Sequence, residues 1–175
     1  MPTLKSVVST DRLAAFYQQA NNTGQLPAWS PAFALTHRIS DGTGLNQANR
    51  FYVLESTIIA SGTATFNLTS GLSDVFGNSL ALTRVCEVWI EHLNESANTS
   101  TITIGGGSNP LWATLSVPLR KNGSFHVRDY STTGLIAITT NTTITITNNS
   151  GTLVSSYRIV IVYIVTGKQI GRAHV

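Results

Sequence analysis

The sequence predicts an all-β fold, an antiparallel β-sandwich of jelly-roll type, and three observations carry that prediction. The longest apolar run, Ser155 to Val165 (SSYRIVIVYIV), is β-branched or aromatic from Tyr157 onward at every position but Arg158. That composition suits a pleated backbone and costs a helix side-chain freedom. Short segments of alternating apolar and polar residues recur about every 8 to 12 positions between turn signals, the rhythm of sandwiches and barrels. Finally, Thr, Ser, Asn and Gly fill most polar positions while charged residues make up only 11% of the chain. Such a composition favours strands and tight turns over helices.

Taken in order, the first 35 residues read as an N-terminal arm or a short helix followed by a proline-containing linker. Ser9, Thr10 and Asp11 are capping residues for a helix whose Leu13, Phe16, Tyr17 and Ala20 share a face. An arm packed on a neighbouring subunit accounts for the segment equally well. In QLPAWSPAF, Pro27 and Pro31 forbid regular structure, and Trp29 and Phe33 are candidate anchors for a partner.

The sandwich is expected over residues 36–166. Asp41 to Gly44 (DGTG) is a turn signal. Phe51 to Ile59 and Gly62 to Leu68 read as strands, the second with Ala64, Phe66 and Leu68 on one face. GLSDVFGNSL reads as a loop over Leu72, Val75 and Phe76, with room for one helical turn. Arg84 to Leu93 is a clear strand: Cys86, Val88 and Ile90 form one face and Glu87, Trp89 and Glu91 the other. Next come TITI and then GGGSNP, whose glycines fit a tight or bulged turn. This is no phosphate loop, because no lysine follows and Asn109-Pro110 blocks a helix. Pro118 places its strand at an edge or a bend. Lys121 to Ser124 (KNGS) carries the Asn-Gly pair of a two-residue hairpin. Phe125 to Arg128, Leu135 to Thr139 and Thr142 to Thr147 are three further short strands, and Tyr157 to Val165 is a central one, covered on both faces.

At 175 residues the chain fits one domain. The net charge of +3 and pI near 9.3 come from scattered Lys and Arg with no basic stripe, so no nucleic-acid partner is expected. No apolar run approaches the roughly 20 residues of a membrane helix, so no membrane partner is expected either. Cys86 is the sole cysteine, which excludes an intramolecular disulfide, and its apolar setting predicts a buried, inert thiol. The start, MPTLKSVVST, lacks the apolar core of a secretory signal, so export by the general pathway is not expected. Residues 167–175 break the composition before them, and Ile170 to Val175 resembles the translation of a sequencing adapter, so this tail is expected to be non-native.

Local catalytic signatures are missing. No two histidines fall at HxH or HExxH spacing and no serine sits in GxSxG. Glu91 and His92 face opposite ways on a strand. Glu87 and Glu91 share a face, but at roughly 13 Å apart they exceed a glycosidase separation. No catalytic residue, cofactor or metal ligand is therefore predicted. Trp89, flanked by two carboxylates, and Trp112 are candidate stacking platforms for a surface glycan or contacts for a partner.

The run from DGTGLNQANRFYVLES through TATFNLTSGLSDVFGNSL, TITIGGGSNPLW and GLIAITT to SSYRIVIVYIV resembles a group of small bacteriophage-encoded β proteins of virion structural modules, over roughly Thr36 to Thr166. The resemblance implies a non-enzymatic part of a phage particle, a capsid decoration or related head component. It would be made in the host cytoplasm, be located in the virion, and have itself and other virion proteins as partners. The alternative from another class is a carbohydrate- or receptor-binding β-sandwich of a phage tail or fibre.

Overall fold

The computed structural model describes residues 6–14, 17–18, 28–29, 32–45, 47–48, 50–73, 79–93, 99–138 and 142–165, and no helix occurs among them. The strands in chain order are β1 (Ser6–Ala14), β2 (Tyr17–Gln18), β3 (Ala28–Trp29), β4 (Ala32–Asp41), β5 (Gln47–Ala48), β6 (Arg50–Ile58), β7 (Thr63–Asn67) and β8 (Leu72–Ser73). They continue with β9 (Ser79–Leu80), β10 (Arg84–His92), β11 (Thr101–Gly105), β12 (Ser116–Arg120), β13 (Ser124–Arg128), β14 (Ile136–Ala137), β15 (Thr143–Asn148) and β16 (Ser155–Ile164).

Eight of these strands build two antiparallel sheets. The first runs β13-β10-β16-β6, with β14 set against β10; the second runs β12-β11-β15-β7. If the eight main strands are counted one to eight along the chain, the sheets read 6-3-8-1 and 5-4-7-2, which is the strand order of a jelly roll. The all-β sandwich expected from the alternation is therefore what forms. Pro118 lies in β12, an edge strand, where its missing N–H costs no ladder bond on the open side.

β16 lies between β10 and β6, and its alternation explains its place. Tyr157, Ile159, Ile161 and Tyr163 join the core between the sheets. On the other face, Val162 and Ile164 are buried in a second cluster with Ala48, Cys86 and Tyr130. Coverage of that outer face stops there: Arg158 and Val160 are only half-buried. In the core, Phe66 of the second sheet sits between Tyr52 and Tyr157 of the first, edge-on to both at 6.4 and 6.1 Å. Such pairs add to the burial of each apolar side chain, which contributes about 1.5–3 kcal/mol.

Two further expectations are corrected. The N-terminal helix is not found among the described residues: β1 and β2 occupy 6–14 and 17–18 of that stretch, its Phe16 and Ala20 lie outside them, and β1 pairs with β4 over nine positions, from Ser6 opposite Ser40 to Ala14 opposite Ala32. A ladder of that length satisfies the backbone groups that a helix would have satisfied internally. The KNGS segment turns the chain where expected, with Asn122 at φ 61°. It does not make a hairpin, because β12 and β13 belong to opposite sheets. On β15 the threonines Thr143 and Thr145 are themselves buried. The loop after β11 folds over it: the Thr143 hydroxyl donates to the Ser108 carbonyl at 2.8 Å, and Leu111 N–H donates to the Thr143 carbonyl at 2.7 Å. Within GLSDVFGNSL, β8 and β9 pair with each other, while Val75 and Phe76 lie outside the described residues, as does the tail after Val165.

Candidate functional site

The outer face of the first sheet gathers most of the unusual side chains, and register alone places them in three rungs. One rung is His126, Trp89, Val160 and Val53; the next is Arg128, Glu87, Val162 and Phe51; the third is Ser124, Glu91, Arg158 and Glu55. A bulge at Cys86, where the β10–β16 register shifts between Val85 and Glu87, turns both Cys86 and Glu87 outward, so Cys86 does not share the face of Val88 and Ile90 as strict alternation predicts.

Glu87 is 4% exposed, and a carboxylate so enclosed needs charge-assisted partners. His126 Nε2 lies 2.6 Å from its Oε1, and the Tyr130 hydroxyl donates to its Oε2. Burial, then the Glu87 hydrogen bond and charge, push the Tyr130 phenol far above its ordinary range. The His126 ring stacks on Trp89, with centroids 5.2 Å apart and planes at 27°. Trp89 remains 37% exposed, and with Glu91, Arg158 and Val160 it lines a shallow depression of about 210 Å³. Arg158 holds this end together. Its Nη1 donates to Glu91 at 2.9 Å and its Nη2 to Glu55 at 2.9 Å. The Glu55 carboxylate, and beyond it Glu91, raise its guanidinium above an already high value.

Of the predicted contact residues, only Trp89 lies in this depression. Trp112 is half-buried against the core, edge-on to Phe125 at 5.5 Å. Trp29 lies in β3 opposite Tyr17 and Phe33 in β4 opposite Leu13, and their side chains fall outside the described residues. Glu87 and Glu91 do share the outer face, but they serve different partners, His126 with Tyr130 and Arg158 respectively. His92 faces inward as expected, buried, with Nδ1 3.2 Å from the Leu119 carbonyl oxygen. Cys86 is fully buried, and burial raises its thiol above the ordinary value. Among the described residues, no three His, Cys, Asp or Glu side chains stand where they could hold a metal ion. Sequence reasoning missed His126, Tyr130 and Arg158. The one available signal was Arg158, the lone charge in an apolar strand.

No protein-family model matches the chain, and no curated protein matches it. Among solved structures it is similar to the crystal structure of a Yersinia pseudotuberculosis-derived mitogen, at 16% identity and a TM-score of 0.33, covering 70% of this chain and 92% of that one.

Proposed function

We propose that this protein is a non-enzymatic structural subunit of a bacteriophage particle, a capsid or head component that decorates or stabilises the shell by self-association. The observation that carries the reading is the apolar side of the outer face. Phe51 is 52% exposed, Val53 44% and Trp89 37%, and they lie on the two adjoining rungs with half-buried Val160 between Val53 and Trp89. Neighbouring exposed apolar side chains of this size on a soluble domain mark a contact surface. The resemblance over Thr36 to Thr166 supports the choice of particle. The jelly roll, an architecture of many viral capsid domains, supports it by analogy of fold alone. Many copies on one shell would convert weak contacts into firm attachment.

The test is cosedimentation of the purified protein with empty phage shells, with the decorated particles seen by electron microscopy. Binding at regular shell positions is expected; a stable monomer with no shell affinity overturns the reading. A second reading, a glycan-binding module, is favoured by one specific feature: the open part of Trp89 beside Glu91 and Arg158, a ring with adjacent hydrogen-bonding groups. Glycan-array binding that is lost in Trp89→Ala and kept in Trp112→Ala would replace the first reading with this one.

A further inference from the structure

The sandwich has four open edges among the described residues, and three carry a device against strand addition. β12 carries Pro118. β7 is five residues long, with exposed Thr63 and Thr65. β13 is equally short and brings His126 and Arg128 to its margin. β6 is different. It is nine residues long, contains no proline or lysine, carries its charges only at Arg50, its first residue, and at Glu55, which is neutralised by Arg158, and pairs with β16 without a break from Arg50 opposite Tyr163 to Ile58 opposite Ser155. Its outward side chains include Phe51 and Val53, the most exposed apolar residues of the first sheet. A long, regular, apolar edge is a template for another strand.

We infer that the β6 edge pairs antiparallel with β6 of a second copy, joining two four-stranded sheets into one of eight. The inference rests on the self-association reading above and names its contact. The register follows from the pleat. A two-fold axis must pass through a residue of β6, so that outward residues oppose outward ones. An axis at Val53 sets Phe51 against Glu55, and an axis at Leu54 sets Val53 against Glu55; either leaves a carboxylate facing an apolar side chain. An axis at Tyr52 sets Phe51 of each copy against Val53 of the other on the outward side, and on the inward side the aliphatic stem of Arg50 against Leu54. This gives two aromatic–β-branched cross-strand pairs, a stabilising combination, while Glu55 keeps its guanidinium partner Arg158. The same side chains that are exposed in the monomer are thereby paired, and the interface closes at two copies.

Sedimentation velocity over a concentration series tests this with three proteins: the wild type, Phe51→Lys and Val53→Glu. A reversible wild-type dimer is expected, with each variant alone dissociating about tenfold or more readily. An equimolar mixture of the two variants is expected to recover the dimer, because the introduced ammonium then faces the introduced carboxylate while the other pair remains Phe51 with Val53. A monomeric wild type, a dimer indifferent to both substitutions, or a mixture no tighter than either variant overturns the inference. Circular dichroism checks the fold, and Phe51→Thr, which keeps strand propensity, gives the same weakening should a charged variant not fold. A wild-type monomer that still coats phage shells overturns the pairing but leaves the assembly reading intact. A dimer without shell affinity does the reverse.

Discussion

The side-chain amide of Asn148 donates to the carbonyl oxygen of Leu153 at 2.7 Å, and the same nitrogen lies 3.1 and 3.0 Å from the carbonyl oxygens of Ile58 and Ile59. Its Oδ1 accepts the Ser150 N–H at 3.0 Å. One buried side chain thus ties the end of β15 to the β6–β7 corner and to the loop that leads into β16. Asn148→Ala should cost roughly 2–4 kcal/mol, several buried hydrogen bonds being lost at once. Asn148→Asp should cost more, because it turns a carboxylate toward three carbonyl oxygens. Urea unfolding of the two variants checks the order; an aspartate variant as stable as wild type would contradict it.

Alkaline pH should destabilise the protein. Burial raises the Cys86 thiol and the phenols of Tyr52, Tyr130 and Tyr157, the Tyr130 group further through Glu87. A group whose folded pKa is raised contributes stability that is complete below its unfolded value and is lost as pH rises through the folded one. With unfolded values of about 8.5 for a thiol and about 10 for a phenol, the urea midpoint should hold steady up to about pH 8.5 and then fall. Tyr130→Phe should flatten the fall above pH 10. A midpoint that does not change through pH 11 would refute this account.

Gly105, the last residue of β11, and Gly106, the first after it, separate two costs of placing a side chain where the chain leaves that strand. Both have positive φ, 116° and 75°. A Cβ on Gly105 would stand 1.9 Å from the Leu115 carbonyl oxygen, whereas one on Gly106 meets nothing within 4 Å. Gly106→Ala should therefore cost about 1 kcal/mol from backbone strain alone, and Gly105→Ala clearly more, since β12 must shift to admit it. Thermal unfolding of the pair measures the difference.

Ile161 is fully buried in the core, while its neighbour Val160 lies on the half-open outer face. Ile161→Ala should cost about 2–5 kcal/mol and Ile161→Asp should abolish folding, whereas Val160→Ala should cost well under half as much as Ile161→Ala. A soluble, folded Ile161→Asp protein would show that β16 is peripheral to stability.

Strand positions were legible in the sequence because they rest on period-two alternation. Ala64, Phe66 and Leu68 point inward as their spacing says, and Pro118 marks an edge because its ring cannot donate. The sheet to which each strand belongs was not legible. Nothing local in 121–123 distinguishes a hairpin from a corner that crosses the core, since both need a tight turn with a residue such as Asn122 at positive φ. The Glu87–His126–Tyr130 cluster was hidden for the same reason. Its members are 39 and 43 positions apart and meet only through the β10–β13 register and a bulge at Cys86 that no residue type announces. The helix read into the first 20 residues failed because capping residues and helical spacing are weak signals beside a nine-pair ladder.

The position of β16 also dictates an order of events. It is inserted between β10 and β6, whose own sequences emerge from the ribosome some 60 to 100 residues earlier. Until Ser155–Ile164 has been synthesised, the first sheet has an empty slot with hydrogen-bonding edges on both walls, and the core lacks Ile159, Ile161 and Tyr163. At translation rates of about 5–20 residues per second, that slot stays open for several seconds. The same strand of another nascent chain has the register to fill such a slot, so crowded synthesis is expected to raise the yield of strand-exchanged pairs.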